Sequence, residues 1–258
     1  MLTMFSAALL LAGGCDKDDA PAQNKSYTLL TKDVLGVTGK VTFTETSSTS
    51  TTIDIVLTNA PEGMHPANLY MYSTVEDGAV VAALNPVDAT GKSSSVVTNM
   101  NYGQLIAYDG CVRVMKSSSE PNVILAQGDI GGNVITSTNK SYTLNTVGVF
   151  GVEGTALFEK RENGNALVTI SVTGTITDDS YPATINMGSV ASVGGGPVKK
   201  TLNNVDGTTG KSYTNIRKLN DGTVVTYDNW LVYDGYINVY QQPMSLGVVI
   251  SQGDIGSN

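Results

Sequence analysis

The chain contains two copies of one pattern, and this duplication constrains its fold more than any other feature. Residues 24–29 (NKSYTL) recur unchanged at 139–144, and residues 127–131 (QGDIG) recur at 252–256. The first pair marks where each copy begins, and the second pair marks where each copy ends. Because copies of one sequence fold alike, we expect two similar domains in tandem.

The spacing between the copies indicates how each domain is organised. The first copy occupies 24–133, a short linker follows at 134–138, and the second copy occupies 139–258. Matched segments keep a constant offset and are separated by places where the offset increases. Since insertions are tolerated in surface loops, the matched segments are predicted to be core elements and the steps to be loops.

The matched segments have the composition of β-strands. Residues 51–57 (TTIDIVL) alternate and are rich in β-branched side chains, and 166–172 (ALVTISV) are their counterpart. Turn-forming pairs that would supply positive φ for hairpins stand between strands, at Asn163-Gly164, Asp206-Gly207, Asp221-Gly222 and Asp234-Gly235. No amphipathic helix is predicted beyond the N-terminus. We therefore predict an all-β protein of two tandem Greek-key barrels or sandwiches.

The N-terminus is predicted to be a targeting segment rather than part of the fold. An apolar run at 5–12 leads into Leu11-Ala12-Gly13-Gly14-Cys15, which resembles the lipobox of bacterial lipoproteins. The resemblance implies a cleaved signal at 1–14 and a lipid on the Cys15 thiol. No Lys or Arg precedes the apolar run, so the natural signal is expected to begin upstream of Met1. The alternative is an apolar tail with an incidental cysteine.

The residues after Cys15 form an acidic tether at 15–23. Lys17, Asp18 and Asp19 resemble the export signal that follows the lipidated cysteine in some Gram-negative surface lipoproteins. The resemblance implies an outer-membrane protein anchored by its lipid and facing outward, with the periplasmic face as the alternative. A plain solvated linker would have similar composition. Several acyl chains on one cysteine hold a protein stably, at about 0.8 kcal/mol per buried methylene.

The net charge argues against a nucleic-acid partner, and an incomplete loop motif argues against a nucleotide site. The net charge is −8 at pH 7, whereas binding of nucleic acid needs clustered cations to neutralise phosphates. Residues 207–212 (GTTGKS) resemble the end of a phosphate-binding loop, but the glycine that this motif requires five positions before Gly210 is Val205. We predict neither a nucleic-acid partner nor a nucleotide site, and we interpret this segment as a turn with Lys211 in solvent.

Four motifs recur in the same order in both copies and carry a family resemblance. They are a Pro-Ala step at 66–67 and 182–183, a Gly-Lys-Ser turn at 91–93 and 210–212, a Tyr-Asp-Gly step at 108–110 and 233–235, and the closing Gln-Gly-Asp-Ile. This order resembles the CHRD domain, which is related to the Greek-key barrel of copper/zinc superoxide dismutase. The resemblance covers nearly all of both copies.

The metal-binding positions of that family are occupied by other residues. CHRD-like sequences commonly read Pro-Ala-His-Ile-His, and these histidine positions are Asn68 and Tyr70 in one copy and Thr184 and Asn186 in the other. Amides and hydroxyls do not replace imidazole as copper ligands, and the chain has one histidine. The resemblance therefore implies the architecture without a metal, a cofactor or dismutase activity.

Other residues offer weaker candidate sites. We interpret His65 as an exposed structural residue, with a general base or a single metal ligand as the alternative, and Cys111 as a buried apolar side chain. Asp178-Asp179 is interpreted as turn-forming rather than calcium-binding. Tyr227 and Trp230 are candidate binding aromatics, because exposed rings stack on sugars or form protein interfaces.

These observations favour a non-catalytic, surface-anchored lipoprotein that binds an unknown protein or glycan. One alternative is a glycan-acting enzyme with carboxylates in the longer loops of the second copy, around Gly194-Gly195-Gly196. Another is a structural spacer. Because any two of the 23 acidic residues could be paired, no catalytic residue is assigned.

Overall fold

A computed structural model describes residues 22–241 and 247–258 and shows sixteen strands within them. The first copy contributes β1 (Asn24–Thr31), β2 (Thr38–Ser47), β3 (Ser50–Thr58), β4 (His65–Met71), β5 (Val80–Val87), β6 (Lys92–Val97), helix α1 (Tyr102–Ile106), β7 (Gly110–Met115) and β8 (Ile124–Ile130). A 3₁₀ turn at Gly131–Asn133 leads into the second copy. That copy contributes β9 (Ile135–Thr146), β10 (Glu153–Arg161), β11 (Ala166–Thr173), β12 (Ser180–Met187), β13 (Val198–Asp206), β14 (Lys211–Ile216), helix α2 (Tyr227–Trp230), β15 (Asp234–Tyr240) and β16 (Val249–Gly256).

The strands form two eight-stranded antiparallel sheets, one for each copy, as predicted for an all-β protein. In the second copy the sheet closes into a barrel with the order β10-β11-β14-β13-β12-β15-β16-β9. The first copy has the equivalent order, β5-β4-β7-β8-β1-β2-β3-β6. In the second copy β12, β13 and β14 are sequential neighbours and β15 returns to lie beside β12, which is the Greek-key arrangement.

The seam between the fifth and sixth strands is closed by an asparagine in both copies. In the first copy the Asn85 amide donates to the Ser94 carbonyl at 2.6 Å, and its backbone N–H donates to the Ser95 hydroxyl at 2.8 Å. Asn203 makes the same two contacts, to the Tyr213 carbonyl and the Thr214 hydroxyl. These side-chain bonds supplement a seam that has one backbone pair between β13 and β14 in the second copy and, among the described residues, no paired residues between β5 and β6 in the first.

The motifs that begin and end each copy are neighbours in the structure. β1 pairs with β8, and β9 pairs with β16. A Cβ at Gly128 would overlap the carbonyl oxygen of Thr28, and a Cβ at Gly253 would overlap that of Thr143. The glycine of Gln-Gly-Asp-Ile is therefore required by the close approach of the strand that carries Asn-Lys-Ser-Tyr-Thr-Leu.

Alternation along the strands determines which side chains fill each barrel. In β3 the side chains of Ile53, Ile55 and Leu57 point inward and are buried, while the residues between them lie on the outer face. The two copies form separate cores of aliphatic and aromatic residues. Period-two alternation of this kind is what the sequence predicted for these segments.

Three details differ from the sequence predictions. β9 begins at Ile135, so most of the expected linker belongs to a strand. Two short helices are present, each started by a capping box such as the one between Asn101 and Gln104.

Of the four turn glycines, Gly164 and Gly222 have positive φ, whereas Gly207 and Gly235 do not. The latter two are instead sites of close approach, where a Cβ would overlap neighbouring atoms. The Pro-Ala step of each copy lies at a shift of strand register, where the missing proline N–H is tolerated.

Candidate functional site

The positions that the family resemblance assigns to metal ligands come together in the first copy. Asn68 and Tyr70 project from the same face of β4, and the Asn68 amide donates to the Tyr70 hydroxyl at 3.3 Å. That hydroxyl lies 3.9 Å from the Met115 sulfur on β7. The guanidinium of Arg113 stacks over the Tyr70 ring at 5.0 Å. A cation, an amide, a phenol and a thioether thus occupy this face.

The equivalent positions of the second copy form a buried polar cluster. The Thr184 hydroxyl donates to the Asn186 side-chain oxygen at 3.3 Å and lies 3.2 Å from the Tyr240 hydroxyl. The Asn238 amide donates to that same hydroxyl at 3.3 Å. All four side chains are buried. The four side chains bond mainly to one another, and Asn186 Nδ2 and Asn238 Oδ1 are buried without a hydrogen-bond partner among the described residues.

These clusters offer poor ligands for a transition metal. Their donors are amides, hydroxyls and one thioether, which do not form the imidazole set that copper and zinc prefer. Within the described ranges, no group of three or more His, Cys, Asp or Glu residues is placed to hold a metal ion. The residues present therefore do not fit the metals of the family that the sequence resembles.

Tyr227 and Trp230 are core residues, so the expectation that they present binding surfaces is wrong. Both side chains are buried in the second barrel. The Trp230 ring packs against Phe158 at 6.0 Å and against Tyr233 at 4.9 Å between centroids. Helix α2, which the sequence did not predict, turns both aromatic rings inward. Neither ring is available to stack on a ligand.

His65 is buried, which contradicts its predicted exposure. Its Nδ1 lies 2.7 Å from the Lys116 carbonyl, and its Nε2 lies 2.9 Å from the Pro61 carbonyl. With both nitrogens facing backbone oxygens, the ring ties two loops together and is not free to act as a base. Cys111 is buried as predicted, and burial raises the pKa of its thiol to about 12.

The phosphate-loop-like segment is a turn, as predicted. The Asp206 carboxylate accepts from the backbone N–H and the hydroxyl of Thr209, at 2.8 and 2.9 Å. These two bonds hold the pKa of Asp206 below its usual value. Asp88 in the first copy accepts the same pair of bonds from Thr90. The aspartates therefore shape the turns, and the lysine that follows each turn is exposed.

The glycine-rich loop of the second copy is held by hydrogen bonds from its backbone N–H groups to two side chains. Gly194 and Gly195 have positive φ, and the Gly196 N–H donates to the Tyr236 hydroxyl at 2.8 Å. The Asp254 carboxylate accepts from the Val190 N–H at 2.8 Å. This acid supports the loop, and nothing in the arrangement pairs it with a second carboxylate for glycan hydrolysis.

The corresponding loop of the first copy has a different role, because it contacts the second barrel. Asp129 occupies the position of Asp254, and its Oδ1 accepts from the Thr74 N–H at 2.7 Å. Its Oδ2 accepts from Arg161 Nη1 of the second copy, also at 2.7 Å. Arg161 is fully buried and donates as well to the Asn133 carbonyl of the connecting turn. When the two copies are aligned, Thr46 of the first copy corresponds to Arg161 of the second. The motif common to both copies therefore does not specify this ion pair.

A second set of contacts joins the barrels through Glu76. Its carboxylate pairs with Arg217 at 3.0 Å and accepts from the Asn215 amide at 2.7 Å. The Arg217 guanidinium also stacks on the Tyr72 ring, 3.9 Å from its centroid. Burial and the nearby charge of Arg217 lower the pKa of Lys200. Two separate polar contacts therefore fix one barrel against the other.

The Asp129–Arg161 pair lies in the wall of a cleft of about 990 Å³ that is lined by residues of both copies. The first copy contributes residues of β1, β8 and the 72–79 loop, and the second copy contributes the β10–β11 turn, β11 and β14. Its apolar and aromatic lining consists of Tyr27, Leu30, Val75, Ile106, Val134, Ile135, Leu167 and Tyr213. Ligand sites are typically concave and mainly apolar with a few polar groups, and this cleft has that character.

Two buried polar groups in the wall of the cleft have no hydrogen-bond partner. Arg161 uses Nη1 for its contacts, while its Nε and Nη2 are buried and unpaired. The side-chain oxygen of Gln127, on the same face of β8 as Asp129, is also buried and unpaired. Unsatisfied buried polar groups are uncommon in folded proteins. The sequence analysis missed this site, and its one available signal was the charged Arg161 at a position where the other copy has threonine.

The predicted lipidation and export residues, Cys15, Lys17, Asp18 and Asp19, lie outside the described residues. Among residues 22–241 and 247–258, no helix has the length and apolar character needed to cross a membrane. No protein-family model, curated protein or solved structure matches the chain. The cleft is therefore judged on its own geometry.

Proposed function

We propose that this chain is a non-catalytic lipoprotein of the cell surface whose two CHRD-like barrels bind one ligand in the cleft between them. The observation that carries this proposal is the cleft itself. Its volume of about 990 Å³ lies at the upper end of the range for ligand sites. Its walls come from both copies, so binding requires the tandem arrangement.

The polar contacts between the two copies support a preformed site. The Asp129–Arg161 pair and the Glu76 contacts hold the two walls at a fixed separation. A preformed site avoids the ordering cost of assembling on the ligand.

Cleft binding is tested by filling the cleft without touching either core. Leu30 lies on the cleft wall with its side chain largely exposed, and Leu35 is exposed in a nearby loop that does not line the cleft. Leu30→Trp should abolish ligand binding, and Leu35→Trp, which adds the same bulk, should leave it intact. Ligands retained from envelope extracts by the wild type are identified by mass spectrometry and compared between variants. Equal retention by both variants would place binding elsewhere.

The anchoring part of the proposal rests on Cys15. Cys15→Ser removes the thiol that would carry the lipid, so the protein should leave the membrane fraction. Cys111→Ser is the matched control, because that cysteine is buried in a barrel and should not affect anchoring. Protease treatment of intact cells then separates an outward-facing protein, which is degraded, from a periplasmic one, which is protected.

A further inference from the structure

The unpaired polar atoms in the cleft have a definite geometry. The Nε and Nη2 atoms of Arg161 form one edge of the guanidinium, and the N–H groups on that edge point in parallel. This edge is the one that grips a carboxylate with two hydrogen bonds. The opposite side of the group, through Nη1, is already occupied by Asp129 and the Asn133 carbonyl.

Gln127 supplies the complementary acceptor. It lies two residues before Asp129 on the same face of β8, so the two side chains start about 7 Å apart along the strand. Its unpaired oxygen can accept one N–H. An unpaired acceptor and an unpaired two-donor edge in the lining of one cleft are the partners required by a group that carries a carboxylate near an amide N–H.

We propose that the cleft receives the C-terminal residue of a partner polypeptide, with its carboxylate on Arg161 and its amide N–H on Gln127. The apolar wall formed by Leu30, Ile106 and Leu167 favours an apolar terminal side chain over an acidic sugar. This inference rests on the proposed function, because it names the ligand of the same cleft. The arginine edge is buried in the unliganded protein, so neighbouring side chains of the wall must rotate aside on entry, while the contacts between the barrels keep the two walls in place.

The local charges do not oppose this arrangement. Asp129 is the nearest acid, and both of its oxygens are engaged, one by Thr74 and one by Arg161. Lys25 and Glu162 also line the cleft, so the charges of its lining are balanced. A carboxylate on the free arginine edge would therefore complete the hydrogen bonding of a buried cation rather than approach an unpaired anion.

The probes are N-acetylleucine and its neutral counterpart N-acetylleucinamide, titrated against the full chain in lipid nanodiscs and followed by ligand-observed NMR. Because a hydrogen bond to a charged group contributes more than a neutral one, the acid should bind about ten- to a hundredfold more tightly than the amide. Arg161→Lys keeps the charge and removes the parallel edge, so this preference should disappear while amide binding persists. Lys25→Gln removes the other cation of the cleft, and the preference should persist; Lys211→Gln, on an exposed turn that does not line the cleft, is the control.

The outcomes separate this inference from the proposed function. Equal binding of acid and amide, both blocked by Leu30→Trp, would overturn the carboxylate assignment and keep the cleft as a site. Loss of the preference in Lys25→Gln alone would move the carboxylate to the lysine. Tighter binding of glucuronate than of N-acetylleucine would replace the peptide terminus by an acidic glycan. Binding of no probe, together with unchanged ligand retention in Leu30→Trp, would remove both proposals. If Arg161→Lys does not fold, the comparison of acid with amide on the wild type still decides the matter.

Discussion

The buried ion pair between the barrels leads to a quantitative prediction about stability. The duplicated sequence supplies its control, because the same substitution can be made at the equivalent position of the other copy. Asp129 and Asp254 occupy equivalent positions, and each accepts a backbone N–H from the loop above it. Asp129 also neutralises Arg161, whose side chain is 0 % exposed. Among the described residues, Asp254 forms no ion pair. The same substitution at the two sites therefore differs in one interaction.

Asp129→Asn leaves a buried cation without its counter-charge. Removal of one partner from a buried pair costs about 3–5 kcal/mol, and the retained amide oxygen can still accept one bond, so we expect about 3 kcal/mol. Asp254→Asn weakens one hydrogen bond and should cost about 1 kcal/mol. The difference of about 2 kcal/mol isolates the effect of Arg161.

Urea unfolding followed by Trp230 fluorescence measures both values, because this single tryptophan is buried in the barrel that contains Arg161. The free energy of unfolding is extrapolated to water in the usual linear way. Replacement of both partners, by Asp129→Leu with Arg161→Met, should recover much of the loss. If Asp129→Asn and Asp254→Asn cost the same to within about 0.5 kcal/mol, Asp129 does not compensate the buried cation and the reasoning fails.

Three further predictions follow from burial, hydrogen bonding and close approach. Burial raises the pKa of Cys111 to about 12, so iodoacetamide at pH 8 should label it only in urea, and stoichiometric labelling of the native protein would contradict its burial. The hydrogen bonds from Thr209 lower the folded-state pKa of Asp206, so their stabilisation is present above the unfolded pKa of about 3.9 and is lost as the pH falls through the folded value. Asp206→Asn should therefore flatten the acid limb of the stability profile, measured as urea midpoints between pH 2 and 7, and an unchanged profile would refute this. Gly253→Ala forces a Cβ against a β9 carbonyl and should lower the free energy of unfolding by about 1–3 kcal/mol. Gly103→Ala has room for its Cβ and should not, and thermal unfolding of the two variants measures the difference.

The duplication and the strand alternation were sufficient to predict the fold class. Side chains that alternate between core and solvent carry period two into the sequence, as in 51–57 and 166–172, which became β3 and β11. The Gly-Lys-Ser motifs also predicted turns correctly, directly before Lys92 and Lys211. Helix α2 was missed because four residues are too few to show a helical period, although Thr226 and Asn229 form its capping box.

Only the tertiary structure decided which side chains are available to a ligand. Trp230 and His65 look like surface residues when they are taken alone, yet one packs in a core and the other ties two loops together. The Asp129–Arg161 pair joins residues that are 32 positions apart and belong to different copies. The cleft is likewise lined by residues of both copies. The alternation of residues along a strand reflects the burial of one of its faces. Contacts between domains depend instead on how the two folded domains pack against each other. The sequence alone determined two β-rich copies, and their mutual packing determined where the cleft lies.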